Sequence, residues 1–323
     1  MSIFWGLENY APPTSGAAIT IGAFDGVHRG HQLLLSRLVE VGEIHGLHTV
    51  AITFDRHPLD LLAPSKVPPQ IQTVRDRAVR LSTSGVDWVL VLPFTEALAD
   101  MDPRKFVEDV IVKQVGANHA VVGENFRFGK GRAGGSEMLR TLGKELGFGV
   151  DVVPPLILGH DQISSTLIRR KIEEGDVSRA AEFLGGCFKI KGTVVQGQGL
   201  GRQLGFPTAN IQTAPNQLLP GNGIYAVNAH FQKTHIRGAA NVGVRPTVNS
   251  GAKLLEVHLI GFQGDLYNQE MEVEFLEKLR DESKFNSVVE LTEQIQRDVH
   301  RAVSIPDCTI RTSTSAGTTT NIL

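Results

Sequence analysis

The sequence predicts an α/β domain followed by a mostly β domain. In the first half, apolar runs alternate with segments of helical periodicity. After the pair Gly185-Gly186, short β-type runs follow one another, with no helical pattern until near the end. The length of 323 residues suits two domains. We expect a doubly wound, Rossmann-like sheet, then a small antiparallel barrel closed off by one C-terminal helix.

The elements of the first domain follow from its apolar periodicity. Ile19 to Ile21 is a short β-branched run, and four further apolar runs are typical of buried parallel strands: 49–54, 88–92, 119–122 and 150–153. Three helices are predicted between them: 75–81, 103–112 and 137–146. In such a sheet ligands bind at the carboxyl ends of the strands. The residues that follow each strand are therefore the candidate site residues.

Residues 20–35 form a strand that ends at a turn and continues as a helix. Gly22, Asp25 and Gly26 are turn formers, and residues 32–38 have helical apolar spacing. His28 and His31 lie three residues apart on the first helical turn, so they share a face. A helix N-terminus attracts anions, which indicates a phosphate site. The alternative is an ordinary strand-turn-helix with surface or core histidines.

Two later loops of this domain carry suitable chemistry. Residues 123–135, GENFRFGKGRAGG, combine an amide, two aromatic rings, basic side chains and glycines, which suits a planar ring beside an anion. A basic surface loop is the alternative. Residues 54–58, FDRHP, place a carboxylate and a histidine after a strand, where a plain turn is an equal interpretation.

A third candidate precedes the domain boundary. Ser164, Ser165 and Thr166 come before the predicted helix 167–174, and capping alone would explain them. Arg169 lies in the first turns of that helix, which is an anion-binding arrangement. A further short helix ends at Gly185-Gly186. The predicted domains are therefore 1–184 and 185–303, followed by a Thr-rich tail, 304–323, that we expect to be disordered.

The second domain has β-type runs at 188–195, 223–230, 236–244, 254–259 and 271–279, and a helical pattern at 287–303. Spaced glycines in 194–211 could wrap a polyphosphate. Thr208 and Asn210 alternate onto one side of an extended segment, where oxygen donors suit Mg²⁺. Glu272 and Glu274 also share a face, and a solvated strand face would explain both.

Composition excludes several classes of protein. The formal net charge of −2 argues against a general nucleic-acid surface, and no run is apolar enough for a bilayer. The first residues lack the pattern of a signal peptide. Cys187 and Cys308 are far apart in sequence, so neither a disulfide framework nor a zinc site is predicted. These features fit a reducing cytoplasm.

From about residue 18 to 301 the chain resembles the bifunctional bacterial riboflavin kinase/FAD synthetase (FMN adenylyltransferase) family. The resemblance rests on motifs in the same order: GAFDGVHRGH, FDRHP, VVGENFRFGKGRAGG, ISSTLIR, GRQLGFPTANI, NVGVRPT and GDLYNQEMEVEFLEKLRDESKF. It implies that the C-terminal domain phosphorylates riboflavin to FMN with ATP, and that the N-terminal domain adenylylates FMN to FAD and releases pyrophosphate.

The resemblance implies roles in the first domain by matching positions. The expected ATP and phosphate ligands there are Gly22, Phe24, His28, His31, Ser164, Ser165 and Arg169, with the two histidines acting in the transition state. Asn125 matches the nucleotide and flavin loop, and Phe128 is a candidate stacking partner for a planar ring.

It also implies roles in the second domain. Thr208 and Asn210 would position Mg²⁺ and ATP phosphates, Gly199 and Gly201 would contact phosphate, and Arg280 would lie on the flavin side. Glu274 matches the general base, which overturns the simpler interpretation of that residue. The implied cofactor is Mg²⁺ and the implied ligands are riboflavin, FMN, FAD, ATP, ADP and pyrophosphate, with no nucleic acid and no membrane.

The sequence departs from the family pattern at two positions. Arg56 stands where proline is usual, and Leu167 where arginine is frequent. Two alternatives remain open at this point: a single surviving activity, or a flavin-binding sensor or carrier that does not turn over ATP.

Overall fold

The computed structural model describes residues 2–197, 201, 204–244 and 253–308. The strands of the first domain are β1 (Ser2–Trp5), β2 (Ala17–Ile21), β3 (His48–Phe54), β4 (Trp88–Leu92), β5 (Ala117–Gly123), β6 (Arg127–Phe128), β7 (Gly134–Gly135), β8 (Gly149–Val153), β9 (Ile157–Leu158) and β10 (Asp161–Gln162). Six of them form a parallel sheet in the order β1-β4-β3-β2-β5-β8. The predicted parallel sheet is confirmed, and β1 adds an edge strand that was not predicted.

Helices lie between these strands. They are α1 (Arg29–His45), α2 (Pro58–Leu62), α3 (Val74–Ser82), α4 (Glu96–Ala99), α5 (Pro103–Lys105), α6 (Ser136–Leu146), α7 (Ser165–Glu173) and α8 (Val177–Leu184). The segment predicted as one helix over 103–112 is a short α-helical turn that continues as a π-helix, Phe106–Gln114. The wider turn buries Phe106, Val107, Val110 and Ile111 together.

The second domain is a closed six-stranded antiparallel barrel in the order β11-β12-β15-β14-β13-β16. Its strands are β11 (Phe188–Val195), β12 (Thr208–Thr213), β13 (Gly223–Phe231), β14 (Thr234–Val244), β15 (Lys253–Leu259) and β16 (Glu270–Arg280). The C-terminal helix, Val288–Ser304, begins after Ser287, whose hydroxyl accepts a hydrogen bond from the Glu290 N–H at 3.1 Å. The predicted barrel and closing helix are confirmed.

The two domains share a core. Ile168 of α7 and Phe183 of α8 are fully buried in the same cluster as Phe188, Tyr225 and Phe275 of the barrel. The Ser178 hydroxyl also donates to the Leu276 carbonyl at 3.1 Å. The sequence boundary at Gly185-Gly186 therefore crosses a packed interface, which fixes the barrel against the end of the first domain.

Cys187 and Cys308 form a disulfide with a Cα–Cα distance of 6.0 Å, so the prediction of two unconnected cysteines is wrong. The cysteines are 121 residues apart and carry no spacing signal, but the fold brings the residue before β11 to the segment after the C-terminal helix. That segment was also assigned to the disordered tail. Instead Asp307 accepts hydrogen bonds from Asn228 and Arg237, at 3.0 and 2.9 Å. The rest of the predicted tail, 309–323, lies outside the described residues.

Within the described ranges, no helix is both long and apolar enough to cross a membrane.

Candidate active sites

The first site is built on the turn between β2 and α1. Phe24 and Val27 adopt positive φ angles of 51° and 38°, which non-glycine residues rarely do. Phe24 is buried, and an added Cβ at Gly22 would lie 3.3 Å from its ring. The turn thus packs tightly enough to hold these angles, and it ends at His28, the residue that caps α1.

His28 and His31 lie ring against ring at the start of α1. Their centroids are 3.6 Å apart with an interplanar angle of 15°, and His28 Nδ1 accepts the His31 N–H at 3.3 Å. A Cβ at Gly30 would lie 3.2 Å from the His28 ring, so a larger residue there would require the ring to shift slightly. Nδ1 of His31 is buried without a hydrogen-bond partner in the described structure. A polar ligand could satisfy that nitrogen.

Burial keeps both imidazoles neutral near pH 7. Desolvation, opposed by the charge of Asp25, lowers the pKa of His28 to about 4. Desolvation, together with the nearby His28 and Arg77, holds the pKa of His31 well below its ordinary value. Each ring therefore offers one N–H donor and one acceptor rather than a fixed positive charge.

The residues of the ISSTLIR motif come to the same turn. Ser164 caps α7, and its hydroxyl accepts the Leu167 N–H at 3.2 Å. The Ser165 hydroxyl donates to the Asp25 carbonyl at 2.8 Å. Arg169 pairs with the Asp25 carboxylate at 2.8 Å, and both side chains are largely buried. The fold thus joins two predicted phosphate motifs that are about 140 residues apart in sequence.

The two predicted flavin contacts of this domain differ in exposure. Asn125 is exposed in the turn that follows β5. Phe128 is only 6% exposed, and its ring stacks on Phe126 and packs near Phe106 in the core. Because Phe128 is already packed in the core, its ring has little free surface on which a flavin could stack.

The second site lies on the outer face of the barrel. Asn210 of β12 is directly opposite Glu256 of β15, which is in turn opposite Asn241 of β14. Their strand neighbours Ile211 and Val257 face the barrel core. Since side chains alternate along a strand, Asn210, Glu256 and Asn241 form one polar row outside the barrel.

Glu256 and Asn241 of this row line a cavity of about 440 Å³ between the barrel and the C-terminal helix, and Asn210 lies beside it, opposite Glu256. Thr208 and Gly201 lie on one side, and Phe285 and Arg280 on the other. Oδ1 of Asn210 is buried and has no hydrogen-bond partner among the described residues. An unpaired amide oxygen beside a hydroxyl and a carboxylate fits the oxygen ligands that Mg²⁺ prefers.

Arg280 binds the C-terminal helix, which covers this cavity. Its guanidinium makes bonds of 3.0 and 2.7 Å to the buried carboxylate of Asp298 on the C-terminal helix, and it lies 5.7 Å from the Phe285 ring centroid. The predicted flavin-side residue therefore lines the cavity and also anchors the helix that covers it. Gly199 lies outside the described residues.

Glu274 is not brought to this cavity. Along β11, Asn210 is opposite Val195 and Glu274 is opposite Lys189, which places the two about 20 Å apart along that strand. The Glu274 carboxylate accepts a hydrogen bond from Asn228 at 3.1 Å and lies 3.5 Å from the Lys189 ammonium group. Burial acts to raise the pKa of Glu274, but the Asn228 hydrogen bond and the Lys189 charge outweigh it and the net shift is downward.

Glu256 is the acidic residue that sequence reasoning missed. In the sequence it stands between Leu255 and Val257, just as Glu274 stands between Val273 and Phe275. Alternation alone therefore predicts an outward-facing acid at both positions and does not distinguish them. The distinction comes from strand register, which pairs Glu256 with Asn210.

Comparisons with known proteins match the two halves of the chain to two different protein-family models. A protein-family model described as FAD synthetase matches residues 11–167, and one described as riboflavin kinase matches residues 184–305. A bifunctional riboflavin kinase/FMN adenylyltransferase of Escherichia coli K12 is 38% identical over 300 residues, covering 92% of this chain and 96% of the relative. The protein of the same description from Pseudomonas fluorescens is 38% identical over 309 residues, covering 95% and 99%.

A solved structure is also similar over nearly the full length. A crystal structure described as a macrolide-efflux protein from Streptococcus pneumoniae superimposes with a TM-score of 0.86 at 29% identity, covering 94% of this chain and 99% of that one. The likeness extends through both domains.

Proposed function

The chain belongs to the bifunctional riboflavin kinase/FMN adenylyltransferase family, and from this premise we propose which residues carry each of its two ATP-dependent reactions. The riboflavin kinase region corresponds to the barrel and the FAD synthetase region to the α/β domain. We place the division between them at residues 184 and 185. The observation that carries the proposal is the strand register that sets Glu256, which lines the cavity, opposite Asn210.

In the barrel, we assign the general base to Glu256 rather than Glu274. Transfer of the γ-phosphoryl group requires the flavin 5'-hydroxyl to lose its proton as its oxygen attacks phosphorus. Glu256 lines the cavity, so its carboxylate is placed to accept that proton. Glu274 is held on another part of the barrel by Asn228 and Lys189.

Thr208, which lines the same cavity, and Asn210, two residues further along β12, would hold Mg²⁺. The ion, when bound, neutralises charge on the ATP phosphates. The protein itself supplies the hydroxyl of Thr208, the unpaired amide oxygen of Asn210 and the wall formed by the C-terminal helix.

In the α/β domain, the FMN phosphate attacks the α-phosphorus of ATP, and the bond to pyrophosphate breaks. Charge then builds on the leaving pyrophosphate. The neutral His28 and His31 rings and the N-terminus of α1 supply hydrogen-bond donors for that charge. Ser164, Ser165 and Arg169 lie across the same turn and would bind the outer phosphates. Asn125, exposed after β5, would contact the flavin nucleotide.

Product identification tests the assignment of reactions. Purified protein with riboflavin and Mg²⁺–ATP should form FMN with release of ADP, followed by FAD with release of pyrophosphate. Replacing Mg²⁺ with excess chelator should stop FMN formation. FMN formed at an unchanged rate without a divalent ion would contradict the Mg²⁺ site. Because both reactions consume ATP, we also propose a cytoplasmic location.

A further inference from the structure

A short stretch, residues 68–72, called here the bridging segment, connects the barrel to the phosphate turn of the α/β domain. Its barrel side is paired with residues 216–218. The Gln70 N–H donates to the Asn216 carbonyl at 2.8 Å, and the Leu218 N–H donates to the Gln70 carbonyl at 2.8 Å. The Gln217 side-chain amide also donates to the carbonyls of Gln70 and Ile71, both at 3.1 Å.

The other side of the bridging segment is bound to Asp25. The Ile71 N–H donates to one carboxylate oxygen at 3.1 Å, and the Gln72 N–H, next along the chain, donates to the other at 3.0 Å. Asp25 is 3% exposed and Ile71 is 1% exposed. A buried carboxylate thus links the turn that carries His28 to a segment that the barrel holds in place.

Arg169 is hydrogen-bonded both to Asp25 and to the bridging segment. Its Nη2 donates to Asp25 at 2.8 Å, and its Nε donates to the Pro69 carbonyl at 2.9 Å. These two nitrogens form one edge of the guanidinium group. Nη1 makes no hydrogen bond within the described part of the chain, so that edge remains for an anion.

We propose that Asp25 is a positioning residue for FMN adenylylation, and that Gln217 of the kinase domain helps to hold the bridging segment in place. Asp25 and the bridging segment fix one edge of Arg169 so that its other edge meets the ATP phosphates. The barrel therefore contributes to ATP binding in the other domain without touching ATP. This inference rests on the phosphate role proposed above for Arg169.

The physical reason lies in the buried ion pair. A guanidinium that is removed from water needs its counter-charge and its hydrogen-bond acceptors together, and losing one leaves the other uncompensated. Loss of the Gln217 donors would remove two hydrogen bonds from the barrel side of the bridging segment, leave the two backbone bonds of Gln70, and so loosen the position of the Pro69 carbonyl. Arg169 would then occupy several orientations, which weakens ATP binding more than it slows chemistry.

The test is steady-state kinetics of FMN adenylylation by the full-length protein. Gln217→Ala should raise the KM for ATP roughly fivefold, as expected for loss of one or two hydrogen bonds, with kcat within about twofold. Riboflavin phosphorylation by the same preparation should be unchanged. The matched control is Lys191→Ala, which breaks another contact between the domains, Lys191 to Asp76 at 2.7 Å, away from the bridging segment. It should behave as wild type.

Two further variants separate the possible failures. Asp25→Asn should raise the KM for ATP more than Gln217→Ala, and Arg169→Ala should raise it at least as much. Normal adenylylation by Arg169→Ala would contradict the proposed phosphate role itself. An impaired Arg169→Ala with wild-type kinetics in Gln217→Ala would overturn the positioning proposal alone. Equal losses in Gln217→Ala and Lys191→Ala would also overturn it, because they would indicate general loosening of the domain interface. If Asp25→Asn does not fold, the KM for ATP of Gln217→Ala alone tests the positioning proposal.

Discussion

The two candidate sites present opposite kinds of hydrogen-bonding groups to the triphosphate that we propose each one binds. The α/β site presents donors: two neutral imidazoles, the N-terminus of a helix and the guanidinium of Arg169. The barrel site presents acceptors: the amide oxygen of Asn210 and the carboxylate of Glu256. Donors bind phosphate oxygens directly, whereas acceptors require a cation between themselves and phosphate. We therefore expect the two proposed ATP sites to respond differently to mutation, metal and pH.

The largest expected effect separates the two barrel acids. Glu256→Gln should lower FMN formation from riboflavin by roughly a thousandfold or more, because it removes the proton acceptor. The matched control, Glu274→Gln, changes the same residue type on another part of the barrel and should stay within about threefold. Chromatography of the flavin products checks both. A large loss in Glu274→Gln with normal Glu256→Gln would restore the general-base role of Glu274 that the family resemblance implied.

The second effect concerns the histidine pair. His28→Asn keeps a side chain that caps α1, and His31→Asn removes the stacked partner. Each should lower kcat/KM for FMN adenylylation by roughly a hundredfold, as for loss of a transition-state donor, and leave riboflavin phosphorylation intact. His45→Asn, in the last turn of the same helix, is the control. An undiminished rate in His28→Asn or His31→Asn would show that the histidine in question does not act on the leaving group.

A smaller effect concerns the metal. Asn210→Ala should raise the Mg²⁺ concentration for half-maximal kinase activity by roughly tenfold, because one oxygen ligand is lost. Gln212→Ala, which alters an exposed residue further along β12, should have no such effect. Titration of both variants with Mg²⁺ provides the measurement, and equal Mg²⁺ curves for wild type and Asn210→Ala would exclude the proposed ligand.

The smallest expected effect is on the free energy of unfolding, and it comes from His28 in the α/β site. Because the pKa of His28 is lowered to about 4 in the folded protein, the unfolded chain takes up its proton first as the pH falls below about 6.5. The contribution of the neutral His28 ring to the free energy of unfolding is complete above that pH and is lost as the pH falls towards 4. The free energy of unfolding should drop by about 1 kcal/mol between pH 6.5 and 5.5 from this residue. Urea unfolding of wild type and His28→Asn should show a difference that varies over this window; parallel curves would contradict the assignment.

The sequence was sufficient where local chemistry determines structure. The turn and helix at 20–35 follow from Gly22, Gly26 and the apolar spacing after them, and α1 begins at Arg29 with His28 as its cap. The barrel and its C-terminal helix also follow from local patterns, since Ser287 caps a helix with clear periodicity. These features depend on neighbours in the chain, so one sequence reveals them.

The sequence was insufficient where distant segments meet. Glu256 and Glu274 have the same local pattern, and only strand register places the first beside Asn210. The buried position of Phe128 depends on the π-helix that contains Phe106. The contact between Cys187 and Cys308 depends on where the C-terminal helix ends. Each of these is a tertiary relation that periodicity does not encode.

The separation of the two sites is tested most directly by mixing two variants. Glu256→Gln alone should form no FAD from riboflavin, and His28→Asn combined with His31→Asn should accumulate FMN. An equimolar mixture of the two proteins with riboflavin and Mg²⁺–ATP should again produce FAD, because FMN made in the barrel of one protein is adenylylated by the α/β domain of the other. A mixture that makes no FAD, while each variant retains its remaining activity on its own substrate, would contradict two independently acting sites.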